Sequence, residues 1–215
     1  DATWDYPPFI VDTVYNHGHQ LDASDNGRVA LVWAGNVPCP GAAHDTLSGY
    51  ECREFPIQDN DLCYQLSTDF GVTWENRVNL TRNLDTGGQR SFGDISVLFD
   101  ENDILHIAWV AIIWPEDPAD SSVLTTRRCR IMHWSEDQPY CRTVYTADWE
   151  PPLCNGGIEV LNVGKVNLST CNGRLYVLFA QFNDVPNGIV DDCAAADIAT
   201  YPNGAANGDL FVSVS

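Results

Sequence analysis

The sequence predicts an all-β protein built from repeated four-stranded antiparallel sheets. Short runs rich in Val, Ile, Leu, Trp and Tyr recur along the 215 residues, and turns of the Asn-Gly type separate them. Helical periodicity is nearly absent. Because 44% of the residues are hydrophobic, the chain is able to bury one sizeable core, and we expect one domain or part of one.

A hairpin opens each repeat. "DNGRVALVWAG" from residue 25, "ENDILHIAWVA" from 101 and "CNGRLYVLFAQ" from 171 each place a tight turn before an apolar strand. Trp33, Trp109 and Phe179 stand at the same offset in these strands. A strand precedes each turn, as "HQLDAS", "DISVLFD" or "KVNLST". The two-residue turns expected to close the hairpins are Asn26-Gly27, Asn102-Asp103 and Asn172-Gly173.

A third strand repeats and ends in serine each time. Its copies are "LCYQLS" ending at Ser67, "RIMHWS" ending at Ser135 and "LFVSVS" ending at Ser215. Fourth strands follow in the first two repeats, as "NRVNLT" and "CRTVYTA". Four antiparallel strands repeated about every 70 residues are typical of β-propeller blades. The predicted blades are residues 19–81, 94–147 and 165–215, after an N-terminal segment of residues 1–18.

Three blades predict an incomplete propeller, because propellers typically close with four to eight. The remaining blades would come from the same longer chain or from other copies. The N-terminal "FIVDTVY" is a candidate outer closing strand.

The stretch "STDFGVTW" follows the first of the third strands. It resembles the Asp-box of sialidase-like (neuraminidase-repeat) propellers, and matches its Ser-x-Asp-x-Gly-x-Thr-Trp pattern at Ser67, Asp69, Gly71, Thr73 and Trp74. In such a turn the carboxylate accepts backbone N–H bonds, the glycine supplies a positive φ and the tryptophan packs between neighbouring sheets. The resemblance implies a box on the face away from the ligand site, so we expect Asp69 to shape a turn and not to act as a catalytic acid.

A degenerate second copy of this motif is "SEDQPYCR", which begins with Ser135 and Asp137. Pro139 stands where the glycine should be and cannot adopt a positive φ. A Cys129–Cys141 disulfide is expected to replace the lost turn bonds.

The eight cysteines contain no CxxC pair, which is unlike a zinc or redox site. Disulfides in an oxidising compartment fit better, and Cys39–Cys52 is a second expected local bridge, although many other pairings stay open. No hydrophobic run approaches the roughly 18 residues of a membrane span. We therefore expect a secreted protein, extracellular or at the cell surface.

The chain is strongly acidic, with 30 Asp and Glu against 11 Lys and Arg and a net charge of −19. Such a surface repels nucleic acid and anionic membranes. Two explanations of the excess of acidic residues are solubility and bound calcium. The candidate calcium ligands lie in "NDVPNGIVDDCAAAD", which lacks EF-hand spacing and also reads as an acidic solvent-facing loop. They are Asp184, Asp191, Asp192 and Asp197.

Long connections between strands two and three, and between blades, are expected on the rim opposite the Asp-box. Loops of this length usually carry function or partner contacts. The candidate ligand-face residues are Arg82, Arg90, Trp114, Glu116 and Asp117. The adjacent acids Glu116 and Asp117 would suit glycoside hydrolysis, or they are simply solvated.

The resemblance to sialidases implies three arginines that grip the substrate carboxylate, an Arg-Ile-Pro start to the first blade, an aspartate acid/base and a Tyr/Glu nucleophile pair. That set is not found, since Arg130-Ile131 lacks the proline and lies on a third strand. The sequence therefore favours a non-catalytic module that binds glycans or protein partners through its long loops. The alternatives are a glycoside hydrolase with key residues outside this segment, and a structural subunit of an extracellular assembly.

The histidines are weaker candidates for a functional site. The "HGH" at residues 17–19 places two imidazoles on one side of an extended chain, but no third metal ligand is evident. His106 and His133 lie on strands among apolar residues, and we expect them to be hydrogen-bonded packing groups.

Overall fold

The computed structural model describes residues 10–11, 15–36, 44–45, 50–51, 60–81, 89–113, 129–147, 163–182 and 208–215. Within these ranges the chain forms only strands and turns, and every strand pair is antiparallel. This confirms the predicted all-β fold class with four-stranded antiparallel blades. In the same ranges no helix is long and apolar enough to cross a membrane.

The first sheet has four strands in the order β1-β2-β5-β6, and a short ribbon of β3 and β4 lies between β2 and β5 in sequence. The bounds are β1 Tyr15–Ala23, β2 Val29–Asn36, β3 His44–Asp45, β4 Tyr50–Glu51, β5 Asn60–Ser67 and β6 Val78–Asn79. The first strand of the repeat is therefore at one edge of the sheet, as in a propeller blade.

The second and third sheets repeat this order. The second runs β7-β8-β9-β10, with β7 Gln89–Phe99, β8 Leu105–Ile113, β9 Cys129–Ser135 and β10 Gln138–Ala147. The third runs β11-β12-β13, with β11 Val163–Cys171, β12 Arg174–Phe182 and β13 Gly208–Val214.

The hairpin turns differ from the expectation in two cases of three. Cys171 pairs with Arg174, so Asn172-Gly173 is the predicted two-residue turn, with φ of 52° and 70°. In the first hairpin the Ser24 amide donates to the Arg28 carbonyl, which leaves three residues, 25–27, in the turn. The second hairpin is the same, with the Asp100 amide donating to the Ile104 carbonyl.

A left-handed residue explains the longer turns. Three-residue hairpin loops are a type I turn followed by one residue at positive φ. Gly27 at φ 86° and Asp103 at φ 63° fill that position. The predicted two-residue turns at Asn26-Gly27 and Asn102-Asp103 are therefore wrong by one residue.

The core lies between neighbouring sheets. We call the face that carries Trp33, Trp109 or Phe179 the front face of its sheet, and the opposite face the back. Trp109 packs in a buried cluster with residues of the first sheet, and Phe179 packs in another with residues of the second. The back-face residues in these clusters include Ala30, Val32, Ala34 and Leu62 of the first sheet, and Ala108, Val110 and Ile131 of the second. Each front face therefore packs on the back face of the preceding sheet.

The inner-edge strand β7 also contacts the inner-edge strands β1 and β11. The Phe99 amide donates to Asp22 Oδ2 at 2.7 Å, and the Leu168 amide donates to Ser96 Oγ at 2.9 Å. The same type of bond thus joins the first sheet to the second and the second to the third. This side-by-side arrangement is that of successive propeller blades.

The predicted Cys129–Cys141 disulfide is wrong. Cys129 pairs with Ala147 at one end of the β9–β10 hairpin, whereas Cys141 lies near the turn at the other end. Six residues of strand span about 20 Å, and a disulfide needs Cα atoms within about 7 Å. Cys129 Sγ instead accepts a hydrogen bond from the Val163 amide at 3.3 Å, which links the second and third sheets. The predicted Cys39–Cys52 bridge and "FIVDTVY" as an outer strand involve residues outside the described ranges.

Candidate functional site

The long connections leave the sheets at one end, which we call the loop end. Asn36 pairs with Asn60 across the connection in the first sheet, and Ile112 pairs with Cys129 across the one in the second. The turn that begins at Ser67 lies at the opposite end of β5. Residues near the loop end of the strands are therefore the ones that a ligand held by the long loops would contact.

Three residues form a cross-strand row on the front face of the second sheet, close to the loop end. Ser91 of β7 pairs with Ala111 of β8, and Ala111 pairs with Arg130 of β9. Ala111 belongs to the buried cluster between the first two sheets, so the row faces the first sheet. Because neighbouring strands are about 4.8 Å apart, the Cα atoms of Ser91 and Arg130 are about 10 Å apart. Only the methyl group of Ala111 stands between them.

Two polar side-chain atoms of this row are buried without hydrogen bonds. In the part of the chain that the structure describes, Ser91 Oγ and Arg130 Nε are both buried and have no hydrogen-bond partner. A buried polar atom left this way costs about 1–3 kcal/mol, so each one calls for a physical explanation. A ligand that supplies oxygen atoms would satisfy both groups, since a guanidinium donates and a hydroxyl both donates and accepts.

Asn60 lies on the back face of the first sheet, which faces this row. It is buried and lies two residues before Leu62, which packs on the second sheet, so alternation along β5 places Asn60 on the same back face. Its neighbour Asp61 is held within the first sheet, where its carboxylate accepts from Asn79 Nδ2 at 2.6 Å and from Thr81 Oγ1 at 3.0 Å. We call the interface between the first two sheets the seam. Its loop end thus carries an amide, a hydroxyl and a guanidinium.

The turn at the other end of the first sheet is closed by side-chain hydrogen bonds. Ser67 Oγ donates to Asp69 Oδ1 at 2.8 Å and accepts from the Gly71 amide at 2.8 Å. Asp69 Oδ1 accepts from the Thr73 amide at 2.8 Å, and Oδ2 accepts from Thr73 Oγ1 at 2.6 Å. Gly71 has a φ of 82°.

These bonds set the charge of Asp69. The Thr73 hydroxyl first, then the Thr73 amide and the Ser67 hydroxyl, lower the pKa of Asp69 to about 2. A carboxyl with this pKa is ionised at neutral pH and has no proton to donate as a general acid.

Trp74 folds back onto the same turn. It is half-buried, and its indole Nε1 donates to the Gly71 carbonyl at 3.1 Å. This ring was expected to pack between neighbouring sheets, whereas the buried clusters there are formed by other residues.

The degenerate second copy has a different register. Ser67 pairs with Val29, and the equivalent of Val29 in the second sheet is Leu105. The Leu105 carbonyl accepts from the Glu136 amide at 2.9 Å, whereas Ser135 pairs with His106. Ser135 and Asp137 therefore lie one residue away from the positions that alignment with Ser67 and Asp69 predicts. The physical reason is a tight hairpin turn, in which Ser135 pairs with Gln138 and a bulge follows.

The two strand histidines, which the sequence predicts to be hydrogen-bonded packing groups, bond to each other. His106 Nδ1 lies 3.1 Å from His133 Nε2, and the stacked rings have centroids 5.3 Å apart. Burial, followed by the charges of His106 and Arg142, lowers the pKa of His133 to about 4. Among the described residues no group of three or more His, Cys, Asp or Glu side chains is placed to hold a metal ion.

Most other predicted site residues lie outside the described ranges. They are Arg82, Trp114, Glu116 and Asp117 of the predicted ligand face, and Asp184, Asp191, Asp192 and Asp197 of the predicted calcium site. The backbone of Arg90 lies in β7 and pairs with Ile112, beside the row of Ser91 and Arg130. Ser91 was not predicted as a site residue, and Arg130 was considered only as part of an incomplete sialidase motif. The strand register is the signal that brings them together.

Comparison of the sequence with protein-family models and with curated proteins gives no match. Among solved structures, the chain is similar to a family 117 glycoside hydrolase from the marine bacterium Zobellia galactanivorans, with 13% identity and a TM-score of 0.48 over 98% of this chain and 55% of that one. It is also similar to a GH43_12 protein from a capybara gut metagenome, with 14% identity and a TM-score of 0.39 over 77% of this chain and 26% of that one. A Trypanosoma rangeli sialidase has 10% identity and a TM-score of 0.35 over 80% of this chain and 35% of that one. The chain thus spans between 26% and 55% of the length of these structures.

Proposed function

We propose that this chain is a non-catalytic, extracellular propeller segment that binds a glycan at the loop end of the seam between its first two sheets. The observation that carries the proposal is the row in which Ser91 Oγ and Arg130 Nε are both buried without hydrogen bonds. These two groups stand on either side of a small residue, Ala111, at the end of the sheets from which the long connections leave.

The chemistry of the row suits sugar hydroxyls. The planar guanidinium of Arg130 presents several N–H donors in a fixed geometry, which matches two adjacent hydroxyl oxygens. The Ser91 hydroxyl and the Asn60 amide each donate and accept, as sugar hydroxyls do. The net charge of −19 disfavours the approach of an anionic ligand, so a neutral glycan fits the chain better than an acidic one.

The carboxylates of Asp61 and Asp69 are both hydrogen-bonded within the protein, which supports binding without turnover. Glycoside hydrolysis uses two carboxyl groups about 5–10 Å apart, one of them with a raised pKa that lets it act as an acid. The Asp61 carboxylate is occupied by Asn79 and Thr81, and the pKa of Asp69 is lowered to about 2 at the far end of the sheet. Asp69 is therefore not suited to the acid role, and the hydrogen bonds of Asp61 hold its carboxylate within the first sheet.

Calcium stays a separate proposal. The four aspartates Asp184, Asp191, Asp192 and Asp197 supply the oxygen ligands that calcium prefers, in a segment that follows β12. Bound calcium would offset part of the acidic charge close to the long connections.

The test combines a neutral and acidic glycan array with hydrolysis assays on aryl glycosides, including an aryl sialoside. We expect glycan binding with no release of the aryl group. Arg130→Ala should abolish the array signal, while the exposed Arg174→Ala, on the third sheet, should leave it unchanged. Hydrolysis would overturn the proposal in favour of a glycoside hydrolase. Binding that survives in Arg130→Ala would move the site elsewhere.

A further inference from the structure

The interface between the second and third sheets, which we call the second seam, is closed at its loop end by the protein's own side chains. Gln181 of β12 is only 7% exposed, and its Oε1 accepts from Tyr145 Oη of β10 at 2.7 Å. Beside this pair, the Val163 amide donates to Cys129 Sγ at 3.3 Å. A carboxamide and a phenol hydroxyl therefore satisfy each other across the second seam.

Ala111 holds in the second sheet the position that Gln181 holds in the third. Each residue stands two positions after the front-face aromatic, which is Trp109 in β8 and Phe179 in β12. Each also faces the preceding sheet, since Ala111 belongs to the buried cluster of the seam and Gln181 bonds across the second seam. The alanine lacks the carboxamide that the glutamine carries beyond Cβ.

The sheet that faces Ala111 lacks the second member of the pair as well. Leu62 and Ile131 are equivalent, because each pairs with the residue that follows the front-face tryptophan of its sheet. Tyr145 pairs with Ile131, whereas the Leu80 amide donates to the Leu62 carbonyl. Leu80 thus stands where Tyr145 stands, and it packs in the seam without a hydroxyl group.

The polar atoms without partners lie on both sides of Ala111. They are Ser91 Oγ and Arg130 Nε, on the strands that flank β8. Cross-strand neighbours have Cβ atoms about 5 Å apart, so a carboxamide at position 111 would reach both atoms. Its oxygen would accept from Arg130 Nε, and its amino group would donate to Ser91 Oγ. The alanine offers neither bond.

We propose that Ala111 is the specificity-determining residue of the glycan site, because its small side chain leaves to the ligand the position that a carboxamide fills in the second seam. This inference rests on the proposed glycan binding. The group that enters replaces the end of one glutamine side chain, so it is one edge of a single sugar residue. That edge presents an acceptor oxygen to Arg130 and an adjacent hydroxyl to Ser91.

Two substitutions that fill the position test the proposal, with calorimetric titration of the tightest member of a neutral glycan array and with thermal unfolding. Ala111→Gln and Ala111→Leu should each weaken binding at least about tenfold, since both side chains occupy the ligand's place. Only the glutamine offers partners to the two polar atoms. Its thermal midpoint should therefore exceed that of Ala111→Leu by about 3 °C or more.

The matched control is Gln181→Ala, the reverse exchange in the second seam. It should lower the thermal midpoint, because Tyr145 loses its partner, and should leave glycan binding unchanged. Equal losses of binding in Gln181→Ala and Ala111→Gln would overturn the proposal, since destabilisation alone would then explain them.

Failure of this inference is distinguishable from failure of the proposed function. If the wild type binds a neutral glycan and Ala111→Gln binds it as tightly, the role of Ala111 is overturned and the proposed function stands. If the wild type binds no neutral glycan, the proposed function fails. The midpoints then decide the role of Ala111, which is overturned where Ala111→Gln is no more stable than Ala111→Leu.

Discussion

Arg28 of the first sheet and Glu136 of the second form an ion pair across the seam between them. Arg28 Nη2 lies 2.7 Å from Glu136 Oε1 and 2.9 Å from Oε2. Arg28 Nη1 also donates to the Asp103 carbonyl at 2.6 Å, and its guanidinium lies 5.0 Å from the centroid of the Phe99 ring. One side chain thus fixes the end of the first sheet that is remote from the loop end onto the second sheet.

Arg28→Ala should therefore lower the free energy of unfolding. A partly exposed ion pair contributes under about 1 kcal/mol, and the carbonyl bond contributes about 1 kcal/mol, so we expect a loss of about 1–2 kcal/mol. Urea unfolding measures it. Arg174 holds the equivalent position in the third sheet and is exposed, so Arg174→Ala should cost less than about 0.5 kcal/mol. Equal losses in both variants would refute a role for the pair.

The His106–His133 pair predicts a loss of stability in mild acid. Folded His133 stays neutral down to about pH 4, whereas its imidazole in the unfolded chain takes up a proton near pH 6.5. The unfolded state therefore binds more protons between these values, and the stabilisation present above pH 6.5 is lost as the pH falls towards 4. The shift corresponds to at most about 3 kcal/mol, and we expect about 2 kcal/mol for a side chain that is not fully buried.

The measurement is urea unfolding of the wild type and of His133→Gln at pH 7 and pH 4.5. Glutamine is able to bond to His106 but does not titrate, so the variant should lose less stability between the two pH values. His19→Gln, at an exposed histidine of β1, should behave as the wild type. The same pH dependence in all three proteins would exclude His133 as the source.

Gly18 of β1 lies directly against the backbone of Gly93 in β7. A Cβ at this position would overlap the carbonyl group of Gly93 in β7. Gly18→Ala should therefore cost about 3 kcal/mol, since two backbones would have to separate. Gly71→Ala is the control, because its Cβ would make an ordinary van der Waals contact at 3.8 Å from Trp74 and meets only the strain of a φ of 82°, about 1 kcal/mol. A Gly18→Ala loss no larger than that of Gly71→Ala would contradict this packing.

The Asp69 carboxylate predicts a second loss of stability, at a more acidic pH. Because the pKa of Asp69 is about 2 in the folded chain and 3.8 for an unperturbed aspartate, its stabilisation is present above pH 3.8 and is lost as the pH falls towards 2. Asp69→Asn should lower the thermal midpoint at pH 7, and the gap from the wild type should close between pH 4 and pH 2. Asp137→Asn, in the β9–β10 turn, should show a smaller effect. A gap that persists at pH 2 would point to the loss of turn geometry alone.

The repeat and the assignment of strand faces could be predicted from the sequence alone. Trp109 and Phe179 share an offset because each faces the preceding sheet, and the period of two along a strand then assigns the faces of its neighbours. Asn172-Gly173 was recognisable because both residues tolerate positive φ.

Bulges and turn lengths explain what the sequence did not reveal. A bulge after Gln138 carries Cys141 away from Cys129, and the tight turn shifts Ser135 by one position. The row of Ser91 and Arg130 likewise depends on the irregularity between Ser91 and Ile95. These are properties of strand pairing, and a single strand's sequence does not encode its partner's register.

The central claim is that Arg130 binds a glycan at the loop end of the seam. Calorimetric titration of the array's tightest neutral glycan into the wild type, Arg130→Ala and Arg174→Ala tests it most directly. Loss of a charged hydrogen-bond donor should raise the Kd of Arg130→Ala by about 10- to 100-fold, with less than about a twofold change in Arg174→Ala. A folded Arg130→Ala variant that binds as tightly as the wild type would contradict the account.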